Sequence, residues 1–490
     1  MLKFGWCEKN MTPEKSICLD GQFYERVSIG VESPITVTAW VVDSGKDSLI
    51  ICSCDLVGVG EKLVDAVRDR LKGTGIDLSK IIINATHTHA SFVYDGIGNH
   101  IADTSSLDVL KRFLPEDRSY VPLSQSGNVM SSKESNEWIA DRIAAAIREA
   151  WETRKPGHYR TDFGRAAIGM NRRSVYSDGS AKMWGDTNSA DFEELEAGTD
   201  SGIELLFTYD EANKLTGVVA NISCPSQVME HRSYISSDYW GKVKIMLREK
   251  YGEDLKVLGL CSPAGDLCPR DTIRWVNPDT PIDDPNIHRD EVLPRDADPS
   301  MFDVEGTWTV ARRIVNELTY AIDREKPYCE NETLEHETEL LDLPLRTVTT
   351  NEKDEAERIL MDYIKNKKGG FSFEDSAQMH VHAGTIARYE LQKTVTMVPI
   401  EVHFVRLGNI AFATNPFELF LNYGNKIRAR SRARQTFLIQ LANGYYGYLP
   451  TEKAERGSHY SAYVSSGFAG HEGGNLLVKE TLAKINRMFS

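Results

Sequence analysis

The sequence predicts an α/β fold: layered, with a large mixed β-sheet core flanked by helices and broken by long lid-like loops. Short apolar runs alternate with amphipathic helical stretches along the whole chain, the pattern of layered α/β domains. Several runs are apolar without alternation, as strands covered on both faces are. Two long segments between them have compositions unsuited to a helix or a central strand.

The elements follow in chain order. Residues 48–54 (SLIICSC) and 80–84 (KIIIN) read as strands. Between them Leu63, Val64, Val67 and Leu71 form a helical stripe that Gly73 stops, since glycine accepts the left-handed conformation after a helix end. Residues 92–132 read as an irregular, lid-like stretch. Ile139, Ile143 and Ile147, bracketed by Trp138 and Trp151, mark the next helix. Strands are expected at 218–223 (VVANIS) and 257–261 (VLGLC). Residues 269–300 hold six of the 18 prolines and seven aspartates, which excludes regular structure and predicts a second lid-like loop. Helical stripes return at Trp308, Ala311, Ile314, Val315, Leu318 and Ile322, then at Ala356, Ile359, Leu360, Tyr363 and Ile364, with Gly369-Gly370 as a stop. Strands at 409–414 (NIAFAT) and 436–441 (TFLIQL) complete the series.

At 490 residues, length alone suggests about three domains. The unbroken alternation, without repeat or low-complexity tract, instead predicts one domain over residues 1–490. Against 57 Lys and Arg stand 72 Asp and Glu, a formal charge of −15. That balance, with no basic patch, argues against a nucleic-acid or anionic-membrane partner. No run of about 18 apolar residues occurs, so no membrane span is expected. The opening residues MLKFGWCEKNMTPEKS lack a signal-peptide pattern. The eight cysteines are dispersed, with no CxxC, so reduced thiols and a cytoplasmic location are expected.

The strongest local signal is IIINATHTHAS at 81–91. An apolar strand runs into Thr86-His87-Thr88-His89, and in extended backbone residues i and i+2 project to one side. The two imidazoles would then aim at one metal or one substrate atom, or form a structural hydrogen-bonded pair. Other polar residues share this placement just beyond an apolar run: Cys224, Asp266 and Cys268, Glu418, and Tyr448. Ligands of α/β sheets bind beyond the carboxyl ends of the strands, so the constellation points to a site there. Asp55, after the first apolar run, is a candidate to orient a ligand histidine. His459 and His471 lie near Tyr460. His380 and His382 (MHVHAG) form a second HxH on a strand-like stretch, and surface or core histidines are the simpler reading of that pair.

The ordered series THTH, an Asn-Arg pair, CPS followed by ISSDYWG, AGDLCP, PFE and YGYLPT followed by HY resembles the catalytic domain of the neutral/alkaline, non-lysosomal ceramidases, a family of zinc-dependent amidases. The resemblance runs from Asn10-Met11-Thr12-Pro13 to the Tyr460 region, and no counterpart of that family's C-terminal β-domain is seen. It implies zinc, with His87, Glu418 and Tyr448 as ligands. It implies substrate-facing roles for His89, Arg172 and Tyr460.

Two positions depart from the family pattern. Cys224 stands where the family has a second histidine ligand, and a thiolate is itself a good zinc ligand; nearby His231 is an alternative donor. Cys268 stands where the family has its serine, and cysteine is also a nucleophile. The glycine-rich segment after the family's HTH is replaced by Ala90-Ser91-Phe92-Val93-Tyr94. The leading expectation is a zinc-dependent hydrolase of an amide, or a related C–N or ester bond, acting on a small soluble molecule. Its metal ligands would be His87, Cys224, Glu418 and Tyr448, and its catalytic residues His89, Arg172, Cys268 and Tyr460. The alternatives are a thiol hydrolase using Cys268 and a non-catalytic ligand-binding homologue.

Overall fold

Strands that are apolar on both faces need cover on both faces, and this chain supplies it with two stacked sheets between two helical layers. The computed structural model describes residues 1–22, 24–97, 99–101, 106–115, 126–273 and 303–490. The first sheet has eight strands: β1 (Lys3–Asn10), β2 (Thr36–Asp43), β3 (Ser48–Cys54), β4 (Ile81–Ala85), β5 (Lys155–Arg165), β6 (Gly202–Asp210), β7 (Leu215–Ile222) and β8 (Lys256–Cys261). They lie in the order β8-β7-β6-β5-β1-β2-β3-β4. The sheet is mixed: β3/β4 and β7/β8 run parallel and the other pairs antiparallel. The second sheet, β9 (Leu334–Pro344), β10 (Met397–Leu407), β11 (Ile410–Thr414) and β12 (Gln435–Ile439), is antiparallel except for the β11/β12 pair.

Trp40, Ile51, Ile82, Leu206, Val219 and Leu258 of the first sheet pack against Val405, Phe412, Phe437 and Ile439 of the second. The Trp40 and Phe412 ring centroids are 6.2 Å apart. Helices α1 (Glu61–Leu71), α3 (Ser132–Glu152), α4 (Asp238–Tyr251) and α5 (Asp303–Asp323) cover the outer face of the first sheet. Helices α8 (Leu421–Arg430) and α9 (His471–Met488) cover that of the second. The predicted stripes are the buried ones: Leu63, Val64, Val67 and Leu71 on α1, and Ile139, Ile143 and Ile147 on α3. A Ser131/Glu134 capping box starts α3, satisfying backbone donors at its first turn. The expected layered α/β architecture is therefore present, with two sheets at its centre.

Between residues 92 and 132, where an irregular stretch was expected, stands α2 (Ser106–Phe113). No proline interrupts it, and Val109 and Leu110 reach a small core shared with Leu360 of α6 (Thr350–Asn366) and Met379 and Ile386 of α7 (Phe373–Leu391). Residues 102–105 and 116–125 of the first expected lid, and 274–300 of the second, lie outside the described residues. The HxH at His380 and His382 lies on α7, not on a strand. Met379, Ala383 and Ile386 are buried there at helical spacing, and a Ser372/Asp375 capping box starts the helix.

One ion cluster ties the first sheet to its helices. Glu8 of β1 accepts from Lys244 and Arg248 of α4, both at 2.9 Å. Burial alone would raise this carboxyl, but Lys244 and Arg248 outweigh it and hold it at about 2. Breaking a partly buried pair strands the remaining cations. Glu8→Gln is expected to lose about 3 kcal/mol of stability at pH 7, read by urea denaturation. A depressed folded pKa stabilises above the ordinary carboxyl value and is lost as pH falls through the folded value. The deficit of the variant should therefore shrink between about pH 4.5 and pH 2.

Candidate active site

The carboxyl end of β4 delivers the first two groups. The strand stops at Ala85, and His87 takes a left-handed conformation (φ 65°). The imidazoles of His87 and His89 do meet, with ring centroids 4.9 Å apart, but through this turn and not through the extended backbone expected. A non-glycine residue in this region is held there by its surroundings. Thr86 Oγ1 donates to Asp55 Oδ1 at 3.2 Å, and Asp55 Oδ2 accepts from Thr36. Asp55 thus anchors the turn through Thr86. The group that orients His87 is the Val57 carbonyl, 2.6 Å from Nδ1.

That contact fixes the proton. A carbonyl only accepts, so Nδ1 carries hydrogen, and Nε2 is the nitrogen left to accept when bare or to donate when protonated. Nε2 lies 3.3 Å from Glu418 Oε2 and 3.3 Å from His89 Nε2. His89 is held from behind by Gln227, whose amide donates to Nε2 at 2.7 Å, and its Nδ1 lies 3.3 Å from Glu230 Oε2. Gly21 (φ 96°) abuts the His89 ring so closely that a Cβ there would lie 2.3 Å from Cγ. Only glycine fits. Burial outweighs Glu230 and lowers His89 to about 4, whereas Arg270, His89 and Arg172 overcome burial and hold Glu230 at about 2. His89 is therefore neutral at pH 7 and Glu230 ionised.

Glu418 and Tyr448 come from the second sheet, as register partners in a short parallel pair, Glu418–Leu419 with Tyr448–Leu449. Tyr445 donates to Glu418 Oε1 at 3.1 Å. Burial would raise the Glu418 carboxyl, but His87 and Arg172 hold it below the ordinary value. The Arg172 guanidinium donates to Gln227 Oε1 (3.3 Å), to the Gly265 carbonyl (3.1 Å) and to Tyr448 Oη (3.3 Å). Tyr448 Oη is in turn 3.3 Å from Tyr460 Oη. Burial raises both phenols, so both keep their protons. Asp266 braces this arrangement, accepting from Asn171 Nδ2 (3.0 Å) and from Leu421 N (2.8 Å), while its carbonyl receives Arg172 N.

Tyr460 sits in a strained loop, with positive φ at Ser458, His459 and Ser461. The fully buried guanidinium of Arg173 holds it, donating to the carbonyls of Ser458 (2.8 Å), Tyr460 (3.0 Å) and Ala454 (3.3 Å) and pairing with Glu196 at 2.9 Å.

The structure thus brings together His87, His89, Arg172, Glu418, Tyr448 and Tyr460. The two cysteine sulfurs bond elsewhere, to backbone carbonyls outside these six residues. Cys224 packs with Ile222, Val228 and Tyr239, its sulfur 3.5 Å from the carbonyls of Ile168 and Pro225, and burial raises its thiol well above the ordinary value. Cys268 is fully buried, its sulfur 3.3 Å from the Arg270 carbonyl, and burial pushes its thiol up to about 12 despite Arg172 and Arg270. The ring nitrogens of His231 make no hydrogen bond. His471 pairs with Glu455. His459 and His380 line the cavity above the cluster. Gln227, Glu230, Arg270 and Tyr445 were not singled out by the sequence; each is an ordinary polar residue beside a motif, and only the fold turns it inward.

A cavity of about 1240 Å³ opens over these groups, lined among others by His89, Arg172, Trp184, Tyr448 and Tyr460. Among the described residues no group of three or more His, Cys, Asp or Glu is arranged to hold a metal ion, and the four-ligand set with Cys224 is not assembled. His87 and Glu418, with Tyr448 hydrogen-bonded to the same carboxylate, are the residues of this cluster that could hold a cation. His87 Nε2 and Glu418 Oε2 lie 3.3 Å apart, a contact that a proton on Nε2 satisfies as an ion pair and that a metal ion in its place would also satisfy.

Among solved structures the chain is similar to the neutral ceramidase from Pseudomonas aeruginosa, at 18% identity and a TM-score of 0.67, over 99% of this chain and 75% of that one. It is similar also to a ceramidase complexed with C2, at 15% identity and a TM-score of 0.64, over the same shares. No family model and no curated protein matches the chain. The chain has a neutral-ceramidase-like fold, as the motif series implied.

Proposed function

We propose that this protein is a zinc-dependent hydrolase of an amide, or of a related C–N or ester bond, in a small soluble molecule. The observation that carries the proposal is the contact of His87 Nε2 with Glu418 Oε2 at 3.3 Å, with Tyr448 hydrogen-bonded to the same buried carboxylate. These three residues would hold the metal. When bound, zinc supplies Lewis-acid polarisation of a carbonyl oxygen.

The chain's own residues supply the rest. Arg172 stays charged, and Tyr460 keeps its hydrogen. Their N–H and O–H groups converge where negative charge would build on an attacked carbonyl, and fixed donors of this kind stabilise such charge strongly in a water-poor cavity. Neutral His89 is the group to take a proton from water at Nε2, once that water displaces the Gln227 N–H that Nε2 accepts, and to pass it to the leaving amine or alcohol. Glu230, facing Nδ1–H, would stabilise the imidazolium so formed.

The low thiolate fraction of Cys268 at neutral pH favours this reading over a thiol nucleophile. The test is metal analysis of protein purified without a histidine tag, paired with Cys268→Ala. About one equivalent of zinc, chelator-sensitive activity restored by zinc, and a Cys268→Ala variant within about threefold of wild type are expected. Less than about a tenth of an equivalent, with no activity recovered on adding zinc, would defeat the zinc reading. Loss of all activity in Cys268→Ala would favour the thiol one.

A further inference from the structure

The cavity wall behind Tyr448 carries a charge that no carboxylate among the described residues balances. Arg388, on α7, lines the cavity and is only 5% exposed. Its Nη1 donates to the carbonyls of Arg346 (3.2 Å) and Phe468 (3.3 Å), and its Nη2 to that of Gly467 (2.8 Å). Three of five N–H groups are thereby used, and Nε–H is buried without a partner. Among the described residues no carboxylate pairs with it. The nearest charge that acts on it is another cation, Arg346, and burial together with that neighbour lowers Arg388 to about 9. Buried guanidinium groups are ordinarily paired with an anion; this one has carbonyls and the face of the Phe468 ring, 4.8 Å from its Cζ.

Its position ties it to the catalytic cluster. Gly467, which receives Nη2, forms a β-bridge with Gly447, the residue before Tyr448. A Cβ on Gly467 would lie 1.9 Å from the Tyr448 carbonyl. Arg388 therefore stands one backbone layer behind Tyr448, on the same cavity. The other cavity-lining carboxylate near the cluster, Glu230, is already committed to Arg270 and His89.

We infer that the substrate supplies the missing negative charge: it is a carboxylate-bearing small molecule whose acid group is received on the Arg388 side of the cavity while its scissile carbonyl meets Arg172, Tyr448 and Tyr460. A carboxylate suits this position because its two oxygens match the planar fork of a guanidinium, and because a buried charge–charge hydrogen bond discriminates strongly against a neutral isostere. The inference rests on the hydrolase reading for the word substrate, but the binding of a carboxylate does not.

The test uses two matched pairs that differ only in acid against carboxamide: N-hexanoylglycine with N-hexanoylglycinamide, and adipic acid mono-butylamide with its carboxamide. The first places the acid on the amine side of the amide bond and the second on the acyl side. Binding is measured by calorimetry and thermal shift, and turnover by amine release. In the wild type at least one acid is expected to bind about 30-fold more tightly than its carboxamide. In Arg388→Gln that preference should fall to about threefold or less. Arg388→Lys keeps the charge and loses the fork, and should retain an intermediate preference; it serves as the reporter if Arg388→Gln does not fold. Equal binding of acid and carboxamide in both pairs by the wild type overturns the inference, as does a preference that survives in Arg388→Gln or is undiminished in Arg388→Lys. An acid that binds through Arg388 without being cleaved leaves this inference standing and counts against the hydrolase reading instead.

Discussion

Glu418→Gln is expected to lower kcat/KM by about 10³-fold and to reduce bound zinc below about a tenth of an equivalent, without lowering the melting temperature of the metal-free protein. The argument lies in what Glu418 faces. In the wild type its Oε2 lies 3.3 Å from Nε2 of His87, a pair held by a proton or a metal ion between them. An amide in place of the carboxylate keeps a hydrogen-bonding group at that nitrogen but loses the negative charge that a metal ion needs. Packing is unchanged, because the two side chains have nearly the same shape. Loss of metal and activity without loss of stability distinguishes a ligand from a structural carboxylate, whose removal from so buried a position would destabilise the fold. A variant that unfolds early but keeps its zinc would show that Glu418 serves the core alone.

Arg172→Lys should cost about 10²- to 10³-fold in kcat, with zinc content unchanged and KM altered far less. Arg172 bonds Gln227, the Gly265 carbonyl and Tyr448 at once. A planar, multidentate donor is needed to hold three acceptors in fixed directions, and an ammonium cannot reproduce that fork. The change therefore removes donor geometry while keeping charge. It also frees Gln227, which steers His89, so the pH–rate profile should shift as well as fall. Should kcat drop no more than a few-fold with the profile unmoved, Arg172 is a structural clamp and the oxyanion donors lie elsewhere.

The sequence made the layers and the location of the site legible for physical reasons. Strands such as Ser48–Cys54 are apolar throughout, which only a doubly covered strand tolerates, and α1 and α3 bury the residues their 3.6-residue spacing singles out. What escaped were the strands with mixed composition. Lys155–Arg165 (KPGHYRTDFGR) contains proline, two glycines and four cationic or acidic side chains besides histidine, yet it spans the centre of the eight-stranded sheet because β1 and β6 supply its partners. Leu334–Pro344 reads as a charged segment until β10 pairs with it. Pairing is a non-local property, and a one-dimensional pattern does not report it. The site shows the same limit. His87 and His89 announce themselves by spacing, but Gln227, Glu230 and Tyr445 become functional candidates only through the turn at each strand end. Cys224 sits at the expected place in the chain and yet faces apolar side chains, since a residue's number does not say which way its side chain turns.

The loop after β12 has one more effect. Asn443, held at φ 52°, accepts from Ile83 N and donates to the Ile81 carbonyl, and Leu441 accepts from Ala85 N. These bonds occupy the outer backbone groups of β4, the last strand of the eight-stranded sheet. An exposed border there would invite strand addition from another molecule and, with it, aggregation. The same few residues that carry the chain toward Tyr445 and Tyr448 thus seal the sheet, so replacing Asn443 should make the protein prone to self-association as well as loosening its site.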